Sequence, residues 1–237
     1  GLNSKLTKED GKLVEKTWKV GGMYSAAIEK MVHWLEKAVA VAENDKQRTA
    51  LELLVKYYKS GDLKDFDDYS VAWVKDTESR IDVVNGFIET YGDPLGYRAT
   101  YESVVSLKDM VRSKRIATIG DAAQWFEDSS PIAPEHKKQK VVGISAKVIT
   151  VIVESGDAAP TTPIGINLPN ADWIRKEAGS KSVFLGNIVD AYDEAAKDSG
   201  VLNEFAFSPE EIQLAKEHGT EGQNLKVDMH ELIGHAS

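Results

Sequence analysis

Apolar side chains recur at helical intervals over the N-terminal part of the chain. Leu13, Val14 and Trp18 form one stripe, Ala27, Met31, Trp34, Leu35 and Val39 a second, and Leu51, Leu54, Val55 and Tyr58 a third. With about 3.6 residues per turn each set lies along one helix face, so packed helices are expected from Thr7 to about Ser79. Breaks are expected at Gly21-Gly22, Asn44-Asp45 and Gly61-Asp62, where the residues favour caps and turns. His33 sits inside the second stripe with no second ligand type at helical reach, and reads as a core or half-buried histidine.

Downstream the pattern changes several times. Val83 to Thr90 is apolar with polar interruptions, and Tyr91-Gly92-Asp93-Pro94-Leu95-Gly96 then imposes a turn. A helical tract is expected from Tyr101 to about Phe126, with Arg112-Ser-Lys-Arg115 as a solvated basic face. Between Lys140 and Glu154 β-branched residues dominate, making Val141 to Val153 the best strand candidate. A second extended piece is expected at Thr162-Pro-Ile-Gly-Ile-Asn167, where prolines forbid a helix interior. Helices resume at Asp172–Lys176, Val183–Lys197, Pro209–His218 and Gln223–His235, the third begun by Ser208 as N-cap with Pro209-Glu-Glu in its first turn. The fold class read from this order is mainly α with a small β portion, an α+β arrangement.

Composition narrows the function classes. A chain of 237 residues with 42% apolar and 28% charged residues is globular and long enough for one large domain or two small ones. Its net charge of −9 argues against a nucleic-acid partner, which would need clustered Lys and Arg, and suits a cationic ligand such as a free peptide N-terminus. Cysteine is absent, so a metal would have to rest on histidine and carboxylate. No apolar run of about 18 residues exists to span a bilayer, and the first residues are no signal sequence. No membrane partner is expected, and the cytoplasm is the expected compartment.

The most informative segment is His230-Glu231-Leu232-Ile233-Gly234-His235. Two imidazoles and an adjacent carboxylate are the parts needed to hold Zn²⁺ and take a proton from water. In the common H-E-x-x-H arrangement the histidines are four apart and share a helix face. Here they are five apart, which an ordinary helix at about 100° per residue would splay by roughly 140°. A wide, π-type turn is therefore required, and Gly234 is the residue expected to absorb its strain.

Together with Asn85-Gly-Phe-Ile-Glu89-Thr-Tyr91-Gly-Asp-Pro-Leu-Gly96 and Gly165-Ile-Asn167-Leu-Pro-Asn170, this hexapeptide resembles the dipeptidyl peptidase III family, in its bacterial form, over nearly all of the chain. The resemblance implies a zinc exopeptidase that removes dipeptides from short peptides, built as two lobes about a cleft. Residues 1–109 and 151–197 would belong to the substrate-binding lobe, and 110–150 and 198–237 to the helical zinc lobe. It implies His230 and His235 as zinc ligands, Glu231 as the base and Tyr91 as a hydrogen-bond donor to the developing oxyanion. Glu89, Asn167 and Asn170 would hold the substrate ammonium, with Glu102, read as lying on the helix after the turn, either joining them or solvated. Thr161 to Asn167, including Gly165, would be the edge strand along which the peptide lies. From the residues alone, Asn167 and Asn170 are equally explained as turn formers and Tyr91 as a buried ring. His136 and His218 read as surface residues.

Such sites need three protein ligands and an open position. The third in the family is a glutamate expected beyond residue 237, as is a further histidine, so the resemblance implies an incomplete fragment whose partner is the missing C-terminal part of the same protein. The fragment itself is expected to hold little zinc and show negligible activity. The competing readings are a non-catalytic peptide-binding module and a helical structural protein.

Overall fold

A computed structural model describes residues 1–141, 144–197 and 200–234. Internal packing divides the chain into two compact units. The first comprises Gly1–Val104, Glu154–Pro160 and Pro169–Ala178, and the second Val105–Val153, Thr161–Leu168 and Gly179–Ser237. Helix exceeds strand in a mixed α+β arrangement, the class expected from the sequence.

The first unit opens on an antiparallel hairpin of β1 (Ser4–Glu9) and β2 (Lys12–Thr17), in register from Ser4 opposite Thr17 to Glu9 opposite Lys12. The helix expected from Thr7 is corrected here. Asp10 and Gly11 both take positive φ, 47° and 80°, the conformation of a two-residue hairpin turn, and an Asp-Gly pair adopts it readily. Helices α1 (Ser25–Ala40), α2 (Asp45–Ser60) and α3 (Leu63–Lys75) follow at the expected breaks. Asn44 caps α2 by accepting from the Gln47 N–H, Asp62 caps α3 by accepting from Lys64, and Gly61 between them takes φ 72°. Ile28, Leu54, Tyr57 and Tyr58 are almost fully buried, each apolar body contributing about 2 kcal/mol. His33 is exposed, contrary to its expected place in the core, because α1 buries the Ile28, Val32 and Leu35 face.

Strands β3 (Ile81–Glu89) and β4 (Thr100–Lys108) are neighbours in the sheet. The expected helix from Tyr101 is thus a strand as far as Lys108. Glu102, Ser103, Val104 and Ser106 are all buried, so both faces of the strand are covered at its centre. The short helix α6 (Asp172–Glu177) belongs to this unit too.

In the second unit the strand order is β4, β5 (Ile144–Gly156), β7 (Ser180–Leu185) and β6 (Gly165–Leu168). β5 and β7 run parallel; β6 is antiparallel to β7 and is the edge of the sheet, the position expected for it. Residues 180–185 were expected in part as helix, yet β7 is buried along its whole length, and a central strand carries no alternation to announce itself. Helices α4 (Met110–Asp121), α5 (Ala123–Ser129), α7 (Gly186–Lys197), α8 (Val201–Phe205) and α9 (Pro209–Met229) complete the unit. Ser208 caps α9 as expected, accepting from Glu211. The helix is continuous where two were expected, since Gly219 and Gly222 each cost only about 1 kcal/mol in a helix interior. The basic face on α4 is corrected as well: Arg112 pairs with Asp190 at 2.6 Å and Arg115 with the fully buried Asp228 at 2.9 Å. Among the described residues no helix is long and apolar enough to cross a membrane.

Candidate active site

Helix α9 runs directly into a π turn at His230–Gly234. A π turn hydrogen-bonds i to i+5, so the widening demanded by the histidine spacing is present. His230 is exposed, and the other expected ligand, His235, lies outside the described residues. The strain is not localised where it was expected. Gly234 has no positive φ, and among the described residues a Cβ there would meet nothing nearer than His230 Nδ1 at 3.9 Å.

Two successive residues seat the turn on the sheet. Leu232, 1% exposed, enters the core formed by Ile116, Val148, Phe184, Val189 and Val227. Glu231, 4% exposed, lies over Gly165 of β6 so closely that a Cβ on Gly165 would overlap its Oε1 and Cδ atoms. The main chain is held as well, for Ser182 Oγ donates to the Glu231 carbonyl at 2.9 Å. Burial raises the Glu231 pKa above the ordinary carboxylate value, and His230 opposes the shift.

Asn167 was expected on a substrate ammonium. Its amide Nδ2 donates to Ser182 Oγ at 2.5 Å, with a longer contact to Ser180 Oγ at 3.4 Å. Asn167 and Ser182 face each other across the β6–β7 register, so both side chains leave the same face of the sheet.

The first unit gathers the other acidic residues. Glu89 ends β3, Glu102 lies on β4, and Asn170 Nδ2 donates to Glu89 Oε1 at 3.3 Å. Glu102 is on a strand and nine-tenths buried, not on a helix and solvated. Burial, then the charges of Glu89 and Asp157, push its pKa up to about 7. Burial also raises Glu89, against the Asn170 hydrogen bond. Asp157 is a member that sequence reasoning missed. Thr100 Oγ1 reaches both the Asp157 carboxylate and, at 3.1 Å, the Glu89 carbonyl, while the Asp157 N–H donates to the Tyr101 carbonyl at 2.9 Å. The available signal was Gly156, the last residue of β5. It takes φ 69°, and a Cβ there would overlap the Tyr101 carbonyl.

Tyr91 is 90% exposed, which excludes the buried-ring reading. The turn after it forms as expected, with Asp93 accepting from the N–H groups of Leu95, Tyr97 and Arg98. His136 and His218 are exposed, as expected. Among the described residues no three His, Asp or Glu side chains converge as a metal-binding group.

A histidine–glutamate pair on a widened helical turn, seated over the edge strand of a sheet in an α+β chain, sets the class of site. The model of peptidase family M49 matches residues 3–237, and the chain belongs to that family. It is 33% identical to dipeptidyl peptidase 3 of Dictyostelium discoideum over 92% of this chain and 30% of that protein. With dipeptidyl peptidase 3 of Nematostella vectensis it shares 29% identity over 91% of this chain and 28% of the relative. The solved structure of DPP III from Caldithrix abyssi superposes with a TM-score of 0.83 at 26% identity, covering 98% of this chain and 43% of that one. The chain therefore spans about 30% of the length of the curated relatives it matches.

Proposed function

We propose that this chain is the part of a zinc-dependent dipeptidyl peptidase that carries its catalytic base and its substrate edge strand. The observation that carries the reading is the π turn of His230–Gly234 with Glu231 buried against Gly165 of the edge strand. Membership of a peptidase family supports it, as does similarity to relatives that are dipeptidyl peptidases by name.

The donor set suits zinc. His230 and His235 are neutral nitrogen ligands of the type Zn²⁺ takes, no thiolate competes in a chain without cysteine, and a glutamate elsewhere in the parent completes three. When bound, the ion supplies Lewis acidity. Glu231 is the base that takes a proton from water and returns it to the leaving amine; its burial, by raising its pKa, brings it closer to the range in which a carboxylate serves both steps. As the edge strand, β6 is placed to offer main-chain hydrogen bonds to an extended peptide whatever its side chains. In the first unit Glu89, Glu102 and Asn170, joined by Asp157, provide acceptors for an ammonium group. Tyr91 is a solvent-accessible hydroxyl suited to donating to an oxyanion.

The test is a dipeptidyl-naphthylamide assay on the parent polypeptide, before and after chelation and with Glu231→Gln. Dipeptide release that disappears with the metal, returns with zinc and falls at least about a hundredfold in the variant is expected. Cleavage indifferent to both would refute the proposal.

A further inference from the structure

Three anchors join the His230–Gly234 turn to one face of the β6–β7 pair. Phe184 packs with Leu232 in the same core. Ser182, 1% exposed, donates from Oγ to the Glu231 carbonyl while its oxygen accepts from Asn167 Nδ2. Gly165, opposite Phe184 in the register, leaves empty the volume that the Glu231 carboxylate occupies. All these residues project from the same side of the sheet, because opposed antiparallel residues share a face and i, i+2 neighbours repeat it. The opposite face is covered by the separate cluster of Ile149, Val183 and Leu185.

We infer that Ser182 and Gly165 are positioning residues for the base: Ser182 fixes the main chain of Glu231, and the missing side chain at Gly165 lets its carboxylate reach over the strand. This rests on the function proposed above and adds two roles to it. Gly165 acts by what it lacks, not as a substrate contact alone. Asn167 acts through Ser182, orienting its hydroxyl, so the edge strand and the base are registered to each other by a two-bond chain.

The experiment is made on the parent polypeptide with Ser182→Ala and Gly165→Ala, reading kcat, KM and backbone hydrogen exchange across residues 226–234. Ser182→Ala is expected to lower kcat about tenfold, the rate equivalent of one hydrogen bond near 1.4 kcal/mol, with KM unchanged. Gly165→Ala is expected to lower kcat at least a hundredfold at similar KM, since the added methyl takes the carboxylate's place. In metal-free protein both variants should speed exchange in the turn while α1, α2 and α3 keep wild-type protection. If Gly165→Ala does not fold, Ser182→Ala decides alone. Wild-type kcat and wild-type exchange in Ser182→Ala, or a rise in KM with kcat unchanged in either variant, overturns the inference. A wild-type parent without dipeptide release overturns the proposed function instead, and the exchange measurement still decides the positioning roles.

Discussion

Replacing Glu102 by glutamine keeps the shape of the side chain and removes an ionisation that the fold resists. Glu102 is 9% exposed, and burial, with Glu89 and Asp157 beside it, raises its pKa from 4.5 to about 7. That displacement corresponds to about 3 kcal/mol held against the charged form. The folded-state value lies above the unfolded one, so between them the native protein binds the extra proton and stability falls as pH rises. The penalty is absent below the unfolded value of 4.5, grows as pH rises towards 7 and is complete above it. Glu102→Gln should therefore be close to neutral at pH 4.5 and more stable than wild type by about 3 kcal/mol at about pH 8. In urea unfolding, with a slope of about 2 kcal/mol per molar, the midpoint difference should open from near zero to more than about 1 M. A difference of the same size at both pH values, or a variant less stable than wild type at the higher one, would refute the reasoning, because packing and not ionisation would then dominate.

Two further substitutions probe the groups that place the site. Gly156→Ala forces a side chain into positive φ and onto the Tyr101 carbonyl, and should cost at least about 2 kcal/mol; a melting temperature equal to wild type would contradict the geometry. Leu232→Ala empties a fully buried position beneath the π turn and should cost about 2–5 kcal/mol, with faster hydrogen exchange in residues 226–234. A loss below about 1 kcal/mol would mean that the turn is not held by the core.

Much of the architecture was legible in local signals. Asn44, Asp62 and Ser208 announce helix starts because a short polar side chain satisfies the first free N–H groups, and all three act as caps. The β-branched run before Glu154 forms β5. The five-residue spacing of His230 and His235 required a π turn, since the rise and twist of a helix are properties of neighbouring residues alone. The hairpin was missed in favour of the Leu13, Val14 and Trp18 stripe, although Asp10-Gly11 is a pair suited to its turn.

Other features depend on partners distant in sequence. Ser180–Leu185 is a strand because β5 and β6 flank it, not because its residues alternate. Nothing near Gly165 indicates that the Glu231 carboxylate comes to lie above it, and nothing near Ser182 indicates that its hydroxyl meets the carbonyl of the same residue. Asp157 joins Glu89 and Glu102 only because β3, β4 and the end of β5 are brought together. By itself, then, the sequence determined the widened turn, the N-terminal caps of α2, α3 and α9 and the family, all of which are set by short-range geometry or by motifs. Tertiary structure alone decided which groups surround each carboxylate, because desolvation and hydrogen bonding arise from atoms that only folding brings within a few ångströms.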